Sequence, residues 1–165
     1  MQKVFIKTSQ IKEKTITIEG NDVKHIASVL RMKPGEKIQV CNEENFENYI
    51  VQIEKIHENE ILTTILEKLN KNVESNVEID LYQGLPKADK MELIIQKTTE
   101  IGISKIIPVD MARCVVKLEE KDAVKKIARW QKIAETAAKQ SKRDKIPQIE
   151  NKIKLKGITA NTIKQ

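Results

Sequence analysis

The feature that most constrains the fold of this 165-residue chain is a change of pattern across "NKNVESN", residues 70 to 76. Before it, β-branched and polar residues partly alternate in short runs. After it, apolar runs of strand length take turns with helical stripes. The first pattern buries one face of an antiparallel sheet, and the second packs helices against a parallel one. Two such patterns in one chain predict two units, 1–70 and 76–165, with the polar, aperiodic stretch between them as linker or boundary.

In the first region, "KTITIEG" (14–20), "EKIQVCN" (36–42), "NYIVQIEKI" (48–56) and "EILTTILEKL" (60–69) read as strands of a small antiparallel barrel. One helix interrupts them. "NDVKHIASVLRM" opens on Asn21 or Asp22 as a cap, sets Val23, Ile26, Ala27 and Leu30 on one face, and is stopped by "KPG" at 33–35. In the second region "VEIDLYQGL" (77–85) and "SKIIPV" (104–109) are predicted strands. Asp89 to Ile101 is a predicted helix, with Met91, Ile94, Ile95, Thr98 and Ile101 on its stripe and Gly102 ending it. A longer helix, near Asp122 to Ser141, buries Ile127, Trp130 or Gln131, Ala134, and Ala137 or Ala138. Strand–helix alternation implies a right-handed crossover and a parallel sheet. Two strands and two helices leave that sheet unfinished, because parallel strands need cover on both faces. The tail after Lys145 has room for a short strand.

Charged residues make up 33% of the chain, and no apolar run approaches the roughly 18 to 20 residues that span a bilayer. The opening "MQKVFIKTSQ" lacks the apolar stretch of a signal peptide, so a cytoplasmic protein is expected. Cys41 and Cys114 stand far apart in apolar surroundings and read as buried thiols. His25 and His57 have no ligand-spaced companions, so a metal site is not expected. The net charge of +6 resides in one segment: Lys121 to Lys145 holds nine Lys and Arg against three Asp and Glu, and the remainder is balanced. Such a surplus suits a polyanionic partner, or else a solvated lysine-rich helix face.

The turn "PKADK" follows the first strand of the second region, at the carboxyl edge where ligands of parallel α/β sheets gather. Lys87 and Lys90 there face the positive end of a helix dipole. Either they are solvated while Asp89 caps the helix, or they hold a phosphate together with the free N–H groups of its first turn. "MARCVVKLEE" (111–120) adds Arg113 and Lys117 at the same edge. Arg113 is a phosphate reader or half of a buried ion pair. In "KKIARWQKIAETAAKQSKRDKIP" the cations near the helix end suit its dipole, but that does not account for all eight. Trp130 reads as core, since 3% aromatic content is too little for a stacking surface. No Gly-rich phosphate loop, G-x-S-x-G elbow or paired histidine is present, and Glu100 is an acid–base candidate or a surface carboxylate. The residues by themselves lead to a two-part α/β protein that binds RNA or phosphate.

Four stretches in order, "DVKHIASVLRMKPGEKIQV", "LPKADKMELIIQKTTEIGISKIIPV", "RCVVKL" and "ARWQKIAETAAKQSKRDKIPQI", closely resemble the ribosomal RNA small-subunit methyltransferase E family. The resemblance implies an N-terminal PUA-like β-barrel for RNA, followed by a SPOUT-type α/β domain with a deep trefoil knot. It also implies a homodimer that methylates N3 of a uridine in 16S rRNA, within the small ribosomal subunit, using S-adenosylmethionine. Carried over residue by residue, His25 and Arg31 match "H-I-x-x-V-L-R", which implies RNA contact for Arg31. Lys87, Asp89 and Lys90 match "P-K-G-D-K", with Ala88 in place of glycine. Arg113 matches "S-E-R-C", with Met111 and Ala112 in place of serine and glutamate. Gln140, Ser141 and Arg143 match "E-Q-S-G-R", with Lys139 and Lys142 in place of glutamate and glycine. Arg31, Lys87, Lys90, Arg113 and Arg143 are therefore the expected RNA-binding residues. Family members continue through a "G-P-E-G-G" loop and an "L-G-x-R-I-L-R-x-E-T-A" segment that build the knot and cofactor pocket. Neither occurs here, so the chain is expected to be the N-terminal part of such an enzyme, inactive alone, with its cofactor residues beyond Gln165. The alternative is a catalytically silent RNA-binding module.

Overall fold

A strand that alternation alone does not announce begins the chain: β1, Lys3–Ile6, pairs in parallel with β4, Lys37–Asn42. The computed structural model describes residues 1–70, 73–87, 90–111, 118 and 120–155. The chain divides into two units, Met1–Val73 and Glu74–Gln165, so the division falls inside the polar stretch.

In unit 1, β2 (Ile11–Lys12), β3 (Thr15–Glu19), β5 (Asn48–Ile56) and β6 (Glu60–Leu69) join the first two strands in a six-stranded sheet of order β1-β4-β5-β6-β3-β2. Every pairing other than β1 with β4 is antiparallel. Irregular register between β5 and β6, at Ile50/Val51 and Ile53/Lys55, bends the sheet. Val4 and Ile6 from one end of the strand order share a core with Ile16 and Ile18 near the other end, and with Ile38, Val40, Val51, Ile53 and Ile61 between. The sheet therefore curls around a single apolar centre. Apart from Val4 and Ile6 of β1, these are the inward residues of the expected strands, held in register because a slip of one residue would turn each isoleucine to solvent.

The helix of unit 1 differs from expectation in three ways. Its N-cap is Gly20, at φ 76°, a conformation glycine adopts without penalty, and neither Asn21 nor Asp22 occupies that position. It runs as α1 for Asn21–Lys24 and then widens into a π turn over His25–Val29, with the Leu30 N–H donating to the His25 carbonyl at 2.9 Å. Val23 and Ile26 are buried as expected, but Leu30 is 38% exposed, because the wider turn carries it off their face.

In unit 2, β7 (Asp80–Gly84), α2 (Lys90–Glu100), β8 (Lys105–Asp110) and α3 (Glu120–Ser141) realise the strand–helix alternation. Two short strands, β9 (Gln148–Ile149) and β10 (Ile153–Lys154), pair in parallel along the other edge of β8. The tail thus supplies a third, interrupted strand position. Leu81, Ile106 and Ile149 face Met91 and Ile95 of α2 and Ala123, Trp130 and Ala134 of α3, so Trp130 is core. Ile101, expected on the stripe, is 83% exposed, because α2 has closed and Thr99 takes the buried position one turn from Ile95. Tyr82, Ile107 and Ile153 lie on the opposite sheet face beside Asp80, Lys105 and Glu150, in a shallow depression of about 290 Å³. No helix among the described residues covers that face.

Candidate nucleic-acid interface

The expected site residues fall into three places. Lys87 and Lys90 are exposed and flank the start of α2, just past the carboxyl end of β7, as the strand–turn–helix pattern requires. Asp89, Arg113 and Lys117 lie outside the described residues, as do Ala88, Ala112 and Cys114. Arg31 is exposed and occupies φ 53°, in the left-handed region that closes the π turn. A non-glycine residue there costs on the order of 1 kcal/mol, which marks the arginine as a residue held in place at a cost.

Arg143 is corrected from RNA ligand to internal tie. Its guanidinium donates from Nη2 to Glu74 Oε2 at 2.6 Å and from Nε to Glu74 Oε1 at 3.3 Å, and both side chains are only 8% exposed. Nη1 donates to the carbonyls of Thr99 (3.2 Å) and Ile103 (2.7 Å) at the carboxyl end of α2. Glu74 Oε1 also accepts the backbone N–H groups of Asp144 (2.7 Å) and Lys145 (3.0 Å). Burial opposes the Glu74 charge, but the Arg143 guanidinium and these two amides outweigh it, so its carboxyl lies below the ordinary 4.5. Arg143 also sits at the wrong end for the expected edge: α2 has 11 residues, which places about 16 Å between Lys90 and its carboxyl terminus. Glu74 escaped the sequence reading because nothing local distinguishes it within a polar linker; its partner is 69 positions away.

The basic segment separates in the same manner. Arg129 reaches across to Glu92 of α2 at 2.8 Å, Lys139 holds Glu135 at 2.7 Å, and Lys145 approaches Glu78 at 3.3 Å. Lys125, Lys126 and Lys132 are exposed and make no ion pair among the described residues. Lys125, Arg129 and Lys132, spaced i, i+4, i+7 along α3, edge a groove of about 700 Å³ between α2 and α3, with Ala128, Ile133 and Ala137 in its lining. Glu100 accepts from Lys97 at 2.8 Å and Gln96 at 3.2 Å, and the Lys97 ammonium holds its carboxyl below the ordinary value. It is a surface carboxylate whose partners hold it away from acid–base work. No metal-ligating cluster occurs among the described residues.

Comparison with known proteins decides the family. A model of the RNA methyltransferase domain matches residues 73–165, more than half of the chain. The chain belongs to this RNA methyltransferase family. A second model, the RNA methyltransferase PUA domain, matches residues 18–66, so the curled sheet of unit 1 is PUA-like and the parallel α/β sheet of unit 2 is of the SPOUT type. Over 152 residues the chain is 41% identical to ribosomal RNA small subunit methyltransferase E of Bacillus subtilis, covering 90% of this chain and 59% of that protein. The solved structure of the enzyme of that name from Neisseria gonorrhoeae, bound to S-adenosylmethionine, superposes with a TM-score of 0.83 at 27% identity, covering 97% of this chain and 67% of the other. A putative methyltransferase from Legionella pneumophila, also with bound cofactor, gives 0.81 at 27% identity, covering 93% and 63%. The chain thus spans about three-fifths of the curated relatives it matches.

Neither of these two depressions suits S-adenosylmethionine. The groove between α2 and α3 is edged by cations that repel a sulfonium and an ammonium group. The depression on the sheet begins at Asp80 and Lys105, the amino ends of β7 and β8, whereas ligands of parallel sheets collect at the carboxyl ends.

Proposed function

We propose that this chain is the RNA-binding part of an S-adenosylmethionine-dependent methyltransferase acting on N3 of a uridine in 16S rRNA. The observation that carries the reading is the set of exposed lysines on α3, Lys125, Lys126 and Lys132, in a chain whose two units match the PUA and RNA methyltransferase domain models of one family. Three exposed ammonium groups on α3, with no ion pair among the described residues, form a phosphate-facing surface. Lys87, Lys90 and Arg31 extend the proposed contacts, and Arg113 is a further proposed one. The small ribosomal subunit as partner, a homodimer and residence in the cytoplasm belong to the same proposal; no helix among the described residues is long and apolar enough to cross a membrane. The cofactor's methyl sulfonium is the family's source of the transferred group, and the residues of this chain serve to bind and orient the RNA.

The test is RNA affinity as a function of salt. Reversing Lys125, Lys126 and Lys132 to glutamate weakens binding and lowers the log–log slope by about 0.7 to 0.9 for each phosphate no longer neutralised. An unchanged slope refutes the phosphate-facing surface. The second reading, a silent RNA-binding module, draws on the poor fit of both depressions to the cofactor. Calorimetry with S-adenosylmethionine tests the second: no binding heat is compatible with it, whereas tight binding by the 165-residue chain refutes it and places a pocket between Leu85 and Arg143.

A further inference from the structure

We infer that the π turn of unit 1 is a platform for an unpaired nucleobase, with Val29 and Leu30 as its apolar surface and the Arg31 guanidinium as its planar edge. The inference rests on the RNA-binding reading above and says which part of the RNA this turn meets.

Three observations converge on these consecutive residues. Val29 is 67% exposed and Leu30 38%, although Val23 and Ile26 of the same helical segment are buried. Neither belongs to the apolar core of unit 1. The π turn is what turns Leu30 outward, and such turns are uncommon and concentrate where function demands them. Arg31 then takes a left-handed conformation that glycine or asparagine fills more readily. Backbone bonds hold it there on both sides, from the Leu30 N–H to the His25 carbonyl (2.9 Å) and from the Met32 N–H to the Ile26 carbonyl (3.1 Å).

The surroundings select the partner. Exposed Lys24 and Lys33 flank the pair, and of the nearby carboxylates Glu36 is turned to the Lys33 N–H at 2.7 Å. An apolar surface rimmed by cations matches an apolar base face attached to an anionic backbone. A duplex hides its base faces in the stack and offers only edges and phosphates. A single-stranded segment presents the face that aliphatic carbons and a guanidinium plane can cover.

The experiment compares the full chain and its variants on one RNA strand carrying 2-aminopurine, either single-stranded or in a blunt duplex. Val29→Ser with Leu30→Ser is expected to weaken single-strand binding about tenfold and to diminish the 2-aminopurine response. Duplex affinity and salt slope stay as in the parent, and the melting temperature falls only slightly, because Val29 is 67% and Leu30 38% exposed. Arg31→Lys keeps the charge but loses the plane, so it weakens single-strand binding at constant slope, while Leu30→Met retains it. Equal weakening on single strand and duplex overturns the platform. So does unchanged RNA binding in the serine variant, and if that variant sediments differently the pair is a protein-contact surface. If the parent chain binds neither RNA, the RNA-binding reading itself fails; if the parent binds and the serine variant matches it, only the platform fails.

Discussion

Arg31 and Arg143 occupy closely related stations and do opposite things. In unit 1 the π turn ends with Arg31 itself in the left-handed conformation, and its side chain is exposed. In unit 2, α3 ends with Lys142 at φ 60°, which places Arg143 next in line with its N–H on the Ala138 carbonyl at 3.0 Å. One residue of offset turns the guanidinium inward, where Glu74 and the last carbonyls of α2 receive it. An arginine past a helix end thus carries two meanings, and the choice depends on which residue takes the left-handed twist and whether a carboxylate waits nearby.

The sharpest way to break the comparison is to remove the buried member. Arg143→Ala leaves Glu74 charged with its chief partner gone and uncaps the carbonyls of Thr99 and Ile103, so unit 2 is expected to lose about 3 to 5 kcal/mol. Urea denaturation of the variant reads this directly. A loss below about 0.5 kcal/mol, the size expected of a surface change, returns Arg143 to the RNA-facing class. The corresponding change at Arg31 leaves stability within that smaller range.

The same tie predicts an acid limb. Glu74 has a carboxyl held below 4.5 in the folded state, so its contribution is complete above that pH, where the unfolded carboxyl is also ionised. It is lost as pH falls from 4.5 through the lower folded value. Glu74→Gln should therefore be less stable than the parent at neutral pH and show a shallower decline below 4.5. Parallel curves for the two proteins would mean that Arg143 is held by its carbonyl contacts alone.

Much of this architecture is legible in the sequence because it rests on local pattern. Alternating isoleucines define β3, β4, β5 and β6 almost to the residue, and Gly102, at φ 105°, ends α2 as predicted, with the Ile103 N–H on the Thr98 carbonyl at 3.1 Å. Illegible features depend on distance or on small backbone departures. The Glu74–Arg143 tie joins residues 69 positions apart. Leu30 has the spacing of a buried residue in an α-helix, and one wider turn overrules it. The eight cations from Lys125 to Lys145 look alike as letters; the carboxylates that claim Arg129, Lys139, Arg143 and Lys145 separate them from Lys125, Lys126 and Lys132. Of the expected site, Lys87, Lys90 and Arg31 keep the exposure an RNA contact needs, and Arg143 does not.

The smallest effect gives the finest comparison, because it uses the same substitution at both helix ends. The left-handed conformation costs an L-residue roughly 1 to 2 kcal/mol, and glycine escapes that cost but gives up about 0.5 to 1 kcal/mol through the freedom of its unfolded chain. Lys142→Gly and Arg31→Gly should therefore each stabilise the chain by about 0.5 kcal/mol, read as a small rise in melting temperature. Their consequences for RNA should diverge. Lys142→Gly installs the residue that the resembling "E-Q-S-G-R" stretch carries at this place, and removes a cation next to a residue already turned inward, so RNA affinity is expected to fall little. Arg31→Gly relieves the same backbone cost but deletes the guanidinium that the cost keeps in place, so affinity should fall several-fold while stability rises. Opposite movement of stability and affinity at position 31 alone would tie that strained backbone to RNA binding. Equal loss of affinity at both positions would mean that the end of α3 also faces the RNA, with Lys142 as the contact that Arg143 does not provide.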